Sequence, residues 1–234
     1  MLERLREEVL EANLEIVRRG LVLYTWGNGS GIDRERRLVA IKPSGVPYET
    51  MKPSDLVITD LNGKVVEGSL RPSSDLATHL ALYRAFPQIG GVIHTHSKHA
   101  TIWAQACKPI PCFGTTHADY FHGPVPVTAR LTSEEIEGDY EENTGRAIVR
   151  LLEGTDAMRV PAALVAGHAP FCWAENATEA ARVAVVLEEV ACMALYTTLL
   201  NPAAGALARE LHDRHFLRKH GSGASYGQKV ARGS

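Results

Sequence analysis

The chain has 234 residues, of which 45% are hydrophobic and 22% are charged, and its formal net charge is -2. These values suit one globular domain and give no sign of a nucleic-acid or membrane surface, so a small molecule is the expected partner. Residues 1–8 are too charged for a signal peptide, and no apolar run approaches the ~20 residues of a membrane span. The four cysteines form no C-x-x-C pair, which predicts reduced thiols in a cytoplasmic protein.

Hydrophobic periodicity and turn signals predict alternating helices and strands in the first half of the chain. In chain order the predicted elements are a helix over 1–20, a glycine-rich loop over 24–31, strands over 38–42, 56–60 and 64–67, and a helix that begins at Leu76. The pair Asn62-Gly63 separates the last two strands and predicts a hairpin. Because a hairpin joins antiparallel strands, the sheet cannot be purely parallel.

The second half continues the same alternation. In chain order we expect a strand over 90–96, a helix over 98–107, an irregular proline-rich segment over 109–132 with a short strand near 125–127, a helix over 140–153, a strand over 161–167, and helices over 178–200 and 203–216. The helix over 178–200 is apolar on nearly every face, which predicts burial. The whole pattern predicts a single α/β domain with a mixed, mainly antiparallel central sheet flanked by helices.

A pair of histidines ends the strand over 90–96. His94 and His96 lie two residues apart, so on a strand their side chains leave the same face. Two such imidazoles are suited to bind one divalent metal ion, most simply zinc. His168 follows another predicted strand and is the candidate third ligand, while Asp75 is a candidate fourth ligand or a group that acts on substrate beside the metal.

Three short segments are suited to bind a phosphate. Ser73 and Ser74 precede a helix, where backbone amides and the helix dipole attract anions. Ser44-Gly45 forms a turn just after Lys42, which adds a positive charge. The third segment is the glycine-rich Gly27-Asn28-Gly29-Ser30, which can present backbone amides to a ligand.

Together these residues resemble the class II aldolase/epimerase family over positions 1–228, leaving 229–234 as a flexible tail. The resemblance is carried by Gly27-Asn28-x-Ser30, Lys42-Pro43-Ser44-Gly45, Ser73-Ser74-Asp75-x-x-x-His79, His94-x-His96 and His168. It is closest to the pentulose-phosphate 4-epimerases of that family, because Asp75 replaces the glutamate of the related aldolases. The segments 117–120, 211–216 and 225–228 also favour the epimerases.

The resemblance implies an antiparallel sheet between helix layers and a homotetramer of four-fold symmetry with sites at subunit boundaries. It implies that a metal, usually zinc with manganese or cobalt as substitutes, is bound by His94, His96 and His168, with Asp75 in or beside the coordination sphere. It also implies that the substrate, chiefly its phosphate, is bound by Gly27, Asn28, Ser44, Gly45, Ser73 and Ser74.

The reaction implied is cleavage and re-formation of the C3–C4 bond of a ketopentose phosphate, because C4 carries no acidic proton. The metal would act as a Lewis acid on the ketose oxygens. Two acid/base groups on opposite faces are then needed, and Asp119 and Tyr226 are the implied pair, with Tyr226 reaching into a neighbouring subunit. Further candidates near the site are His215, Glu141 and His117, whereas His99, His122, His212 and His220 are interpreted as surface or structural residues.

Three alternatives stay open at the level of sequence. An aldolase of the fuculose- or rhamnulose-phosphate type would release the aldehyde instead of rotating it, and a dehydratase could use the same metal ligands. A non-catalytic scaffold, like the cytoskeletal relatives of the family, is disfavoured because all three histidines are present. The epimerase would serve arabinose or ascorbate breakdown.

Overall fold

A seven-stranded sheet with helices on both faces organises the chain in the computed structural model, which describes residues 2–221. The strands are β1 (Gly27–Asp33), β2 (Leu38–Ile41), β3 (Val57–Asp60), β4 (Val65–Glu67), β5 (Gly91–Thr95), β6 (Ala162–Leu164) and β7 (Pro170–Ala174). The α-helices are α1 (Leu2–Arg18), α2 (Leu76–Ala85), α3 (Lys98–Gln105), α4 (Thr115–Ala118), α5 (Ser133–Glu137), α6 (Tyr140–Leu151), α7 (Ala177–Leu200) and α8 (Arg209–His220).

The strand order is β4-β3-β2-β1-β5-β7-β6, and every pair of neighbouring strands is antiparallel. The α/β fold with a mainly antiparallel sheet is therefore confirmed. The hairpin at Asn62-Gly63 joins β3 to β4 as predicted. Helices α1, α3 and α7 cover one face of the sheet, and α2 and α6 cover the other.

Alternation along the central strands divides the core between these two faces. On β2, Val39 and Ile41 belong to the core beneath α2 and α6, whereas Ala40 belongs to the core beneath α1 and α7. On β5, Val92 and Ile93 alternate in the same way. Because side chains two residues apart share a face, His94 leaves β5 on the same side as Val92, which is the side covered by α2.

The glycine-rich segment predicted as a loop is instead central strand β1, so that expectation is wrong. Its even positions, Asn28 and Ser30, hydrogen-bond to side chains of the α2 region, while Gly29 and Gly31 face α1. A Cβ on Gly29 would lie 2.6 Å from Ile93 Cδ1, and one on Gly31 would lie 2.8 Å from Val9 Cγ2. The glycines allow α1 to pack directly on the strand, and the polar face is left for the site.

Two strands and one helix boundary also differ from the expectation. Strand β7 was not predicted, although it pairs with β5 at the centre of the sheet, because its aromatic run follows the His168 turn without a periodic signal. The strand expected near 125–127 is reduced to isolated bridges at Val125 and Val127. Helix α8 begins at Arg209 rather than near residue 203.

Helix α7 corrects the expectation that no segment reaches the length of a membrane span. It is 24 residues long and apolar enough, by length and composition alone, to cross one. The helix begins after Asn176, whose side chain accepts a hydrogen bond from the Glu179 amide at 2.8 Å. It packs against α1, α3, β5 and β7, so it forms part of the protein core for most of its length. Its last turns expose Tyr196 and Leu200.

Candidate active site

The three predicted histidine ligands converge at one end of the sheet. His94 is the fourth residue of β5, His96 lies just beyond its end, and His168 lies in the turn between β6 and β7. His96 Nε2 and His168 Nε2 are 3.2 Å apart. The His94 ring centroid lies 4.9 Å from that of His96 and 5.0 Å from that of His168. One ligand atom from each residue lies within 4.8 Å of the others.

Neighbouring groups fix the orientation and the charge of these rings. His94 Nδ1 donates to the Pro170 carbonyl oxygen at 3.0 Å, which leaves Nε2 as the free nitrogen of the neutral ring. Phe171 stacks on the His94 ring at 4.2 Å. Burial lowers the pKa of His94 to about 3, and burial also lowers the pKa of His96 and His168. All three imidazoles are therefore neutral at physiological pH, and the neutral form binds metals.

A carboxylate approaches the histidines from the start of α2. In the antiparallel register of β1 and β5, Asn28 lies directly opposite His94. Asn28 Nδ2 donates to Asp75 Oδ2 at 2.6 Å, which places the carboxylate beside the same strand end. Burial raises the pKa of Asp75 and the hydrogen bond from the Asn28 amide lowers it, and the net direction is downward. Asp75 is therefore ionised and adds a negative charge beside the imidazoles.

This donor set fits a divalent metal of the zinc class. Nitrogen ligands about 2.0–2.1 Å from a tetrahedral zinc ion lie about 3.3–3.4 Å from one another, close to the 3.2 Å between His96 and His168. The hydrogen bond from His94 to a backbone carbonyl is the usual outer partner of a metal-binding histidine. Three neutral imidazoles and an adjacent carboxylate would hold the ion and leave a position for substrate oxygens.

Ten of the predicted residues line one cleft of about 460 Å³. They are Gly27, Asn28, Lys42, Ser44, Gly45, Ser73, Ser74, Asp75, His94 and His96. Backbone hydrogen bonds pair the turn after β2 with the segment before α2, from Ser44 N to Arg71 O at 2.9 Å and from Ser73 N to Lys42 O at 3.0 Å. The three serines are therefore brought to one wall of the cleft, beside the N-terminus of α2, where an anion is favoured.

Lys42 lines this cleft but is 2% exposed. Its Nζ donates to the carbonyl oxygens of Val46 at 2.8 Å and Pro43 at 3.1 Å, and it lies 4.6 Å from the centroid of the Tyr48 ring. Burial lowers the pKa of Lys42 to about 8, so the ammonium stays charged at neutral pH. An ammonium has three N–H donors, and two carbonyls leave one for a ligand. The two bonds from Lys42 also hold the backbone on either side of the Ser44-Gly45 turn.

Asp119, one of the two predicted acid/base residues, does not meet the histidines within the described part of the chain. Among residues 2–221, Asp119 does not line the cleft and lies instead against α8. Arg218 Nη2 donates to Asp119 Oδ2 at 2.9 Å and to Oδ1 at 3.1 Å, and His215 Nδ1 lies 3.1 Å from Oδ1. Burial raises the pKa of Asp119, but Arg218 and His215 outweigh burial and lower it. Tyr226 lies outside the described residues.

Of the secondary candidates, His215 contacts the Asp119 carboxylate, with Nδ1 3.1 Å from Oδ1. His117 is buried, and its Nε2 donates to the Gly123 carbonyl oxygen at 2.8 Å. The Glu141 carbonyl accepts from Thr78 Oγ1 at 2.6 Å, and its side chain lines a separate surface depression beside α2 and α6.

Two buried residues at the site were not predicted as site residues. Tyr48 donates its hydroxyl hydrogen to the Gly27 carbonyl oxygen at 2.7 Å and lies under Lys42. His79 Nδ1 lies 2.7 Å from Ser30 Oγ, and its Nε2 has no hydrogen-bond partner within residues 2–221. The i, i+4 spacing from Asp75 to His79 on α2 could have indicated the histidine. No local pattern indicates Tyr48, because its partners are distant in sequence.

Comparison with known proteins gives one consistent family. The profile of the Class II Aldolase and Adducin N-terminal domain matches residues 7–195. The L-ribulose-5-phosphate 4-epimerase UlaF of Salmonella paratyphi C (strain RKS4594) is 54% identical over 228 residues, which cover 97% of this chain and 100% of that protein.

Solved structures agree with the sequence relatives. A structure of L-fuculose 1-phosphate aldolase superposes with a TM-score of 0.77 at 29% identity. The superposition covers 91% of this chain and 94% of the aldolase chain. YgbL of Klebsiella pneumoniae, described as a putative aldolase/epimerase/decarboxylase, superposes with a TM-score of 0.72 at 25% identity. The superposition covers 92% of this chain and 98% of the YgbL chain.

Proposed function

Because the chain belongs to the class II aldolase family, we propose that it is an L-ribulose-5-phosphate 4-epimerase, which interconverts L-ribulose 5-phosphate and D-xylulose 5-phosphate. The observation that carries the proposal is the convergence of His94, His96 and His168 with Asp75 at one end of a serine-lined cleft. The curated epimerase is 54% identical over 97% of this chain, and this similarity supports its substrate over the others used in the family. The family is metal-dependent and acts on small sugar phosphates.

The proposed cofactor is zinc, with manganese or cobalt able to take its place. When bound, the ion supplies Lewis-acid stabilisation of the negative charge that develops on the ketose oxygens during C3–C4 cleavage. The chain contributes the three neutral imidazoles that hold it and the charge of Asp75 beside them. Asn28 Nδ2 holds Asp75 in place, and the oxygen Oδ1 of the same side-chain amide has no partner within residues 2–221. That buried oxygen is available to accept a hydrogen bond from a sugar hydroxyl.

The serine wall of the cleft is the proposed phosphate site. Ser44, Ser73 and Ser74 supply hydroxyls, and Gly45 and the N-terminus of α2 supply backbone amides. The remaining N–H of Lys42 adds positive charge. Holding the phosphate would keep the two-carbon aldehyde fragment in the site while it rotates. Retention of this fragment separates an epimerase from an aldolase.

Asp119 and Tyr226 are the proposed acid/base pair, and a neighbouring subunit supplies them. Asp119 lies away from the cleft of its own chain, so a site that uses it must be shared. A homotetramer with sites at subunit boundaries satisfies this requirement, because the same boundary recurs between each pair of neighbours. The proposed domain extends over residues 1–228, with 229–234 as a tail. The unpaired state of all four cysteines supports a cytoplasmic location.

The direct test is to supply zinc-loaded protein with L-ribulose 5-phosphate and to follow D-xylulose 5-phosphate. We expect conversion with no accumulation of glycolaldehyde phosphate. Steady release of that aldehyde would instead assign the chain to the aldolases, the second candidate, which is favoured by the 29%-identical aldolase structure. The His96→Ala variant, which lacks one ligand of the triad, is the matched inactive control.

Sharing of sites between subunits has a separate test. His96→Ala and Asp119→Asn chains should each be inactive alone, because each lacks one half of the site. After unfolding and refolding together, random mixing should restore roughly a quarter of the wild-type activity, since that share of boundaries pairs two intact halves. If the mixture stays inactive while each variant forms the same oligomer as the wild type, Asp119 does not act across a subunit boundary.

A further inference from the structure

A second cluster of metal-type ligands lies where α8 packs against the loop after α4. The cluster consists of His122 from the loop and His212 and Asp213 from α8. Asp213 Oδ1 lies 3.3 Å from His122 Nε2 and 3.4 Å from His212 Nδ1. One ligand atom of each residue lies within 4.8 Å of the others. The proposed reaction uses none of the three side chains.

These separations are those of ligands around one small cation. Two ligand atoms at about 2.0–2.1 Å from a tetrahedral zinc ion lie about 3.3–3.4 Å apart, which matches both distances to Asp213. The His122 and His212 rings have centroids 4.9 Å apart and an interplanar angle of 78°. The His94 and His96 rings of the first site have the same centroid distance and an angle of 76°.

Backbone groups around His212 Nε2 can serve either tautomer of the ring. His212 Nε2 lies 3.1 Å from the Phe121 carbonyl oxygen, and a proton on Nε2 would be donated to it. Nδ1 would then carry the lone pair that faces Asp213. The Gly123 amide donates to the same Nε2 at 2.9 Å and also to the Phe121 carbonyl oxygen at 3.1 Å. When Nδ1 binds a metal, the Nε2 proton and the Gly123 amide would both be donated to the Phe121 carbonyl oxygen.

The cluster is accessible, and one carboxylate oxygen is available to it. The His122 and Asp213 side chains are 35% and 36% exposed, so an ion can enter from solvent. Arg209 Nε lies 3.7 Å from Oδ2 of Asp213, which leaves Oδ1 facing both histidines. We propose that His122, His212 and Asp213 bind a second divalent transition-metal ion of the zinc class, with water in the remaining position.

Such an ion would join two segments that hold Asp119. His122 belongs to the loop that continues from Asp119, while α8 carries His215 and Arg218, both of which contact the Asp119 carboxylate. A metal bridge between His122 and α8 would fix the loop against the helix. We therefore expect the second ion to stabilise the folded protein, since a ligand that binds only the native state raises the free energy of unfolding.

Metal stoichiometry tests the proposal without any activity measurement. Metal-free protein is titrated with zinc by calorimetry, and the bound metal is counted after dialysis. We expect two ions per chain in the wild type, one in His122→Phe, one in His96→Ala and none in the double variant. Phenylalanine keeps the ring packing of His122 against Phe216, whose centroid lies 4.9 Å away. Asp213→Asn, which preserves side-chain shape, should also reduce the count to one.

His99→Phe is the matched control, because His99 pairs with Glu188 between α3 and α7, away from the cluster. It should keep two ions. Zinc added beyond one ion per chain should raise the melting temperature of the wild type and of His99→Phe but not of His122→Phe. The proposal would be overturned if the wild type bound one ion per chain and His96→Ala bound none. His122, His212 and Asp213 would then form only hydrogen bonds with one another. Two ions retained in both His122→Phe and Asp213→Asn would also overturn it.

Discussion

His117 should make the stability of the protein sensitive to mild acid. It lies in α4, two residues before Asp119, and is 4% exposed. Its Nε2 donates to the Gly123 carbonyl oxygen, and its Nδ1 has no partner within residues 2–221. Burial lowers the pKa of His117 to about 4 from the ordinary value of 6.5. The substitution to test is His117→Gln, which keeps a donor for Gly123 and cannot be protonated.

The sign and size of the effect follow from this difference in pKa. The unfolded chain takes up a proton below pH 6.5, whereas the folded chain does so only near pH 4, so stability is present above 6.5 and is lost as the pH falls between these values. A difference of about 2.5 in pKa corresponds to at most about 3 kcal/mol. At pH 5, part-way through the window, His117 alone should cost about 2 kcal/mol.

The assay is urea unfolding at pH 7.5 and pH 5, at one protein and metal concentration. Between these pH values, we expect the wild type to lose about 2 kcal/mol more than His117→Gln. His117→Phe should match the shallow pH dependence of the glutamine variant but be less stable at both pH values, because it leaves the Gly123 carbonyl without its donor. Equal pH dependence of the wild type and both variants would refute the reasoning.

Three further predictions concern the proposed site. His96→Ala should lose both bound metal at the triad and epimerase activity, measured by metal analysis and by product formation, and retention of either would remove His96 from the ligand set. Tyr226→Phe should keep the metal and the fold, checked by circular dichroism, but lose most turnover; near-normal turnover would exclude Tyr226 from acid/base chemistry. Arg218→Met should cost about 1 kcal/mol in urea unfolding at pH 7, because the salt bridge to Asp119 is partly solvent-screened. Since Arg218 lowers the pKa of Asp119, this stabilisation is present above the ordinary carboxyl pKa and is lost as the pH falls below it. The control is Arg209→Met, a change at a 90% exposed side chain of the same helix, which should have little effect.

Much of the proposed metal site could be predicted from local sequence because its geometry is local. His94 and His96 lie two residues apart at a strand end, and the period of a strand alone puts them on one face. Ser73, Ser74 and Asp75 precede α2, where helix-start chemistry is readable from residue type. The hairpin at Asn62-Gly63 was equally local, since the turn residues themselves require that conformation.

The failures have a common physical cause in packing between distant segments. Strand β1 was expected to be a loop because glycine is unfavourable in isolated strands, yet close contact with α1 requires glycine at positions 29 and 31. The alternation of glycine with Asn28 and Ser30 was the signal that could have identified it. Tyr48 could not be found in advance, because its partner Gly27 is distant in sequence.

The sequence by itself determined which residue types were proposed as metal ligands, which strand end carries two of them, and which serines are suited to a phosphate. The sequence named His168 as a candidate, but only the tertiary structure shows that it lies against His96 and that Asn28 holds Asp75, because these contacts depend on the pairing of β5 with β1 and β7. It likewise decided that Asp119 faces α8 rather than the cleft of its own chain. Residue chemistry is local, but the meeting of residues separated by many positions is set by strand order and helix packing.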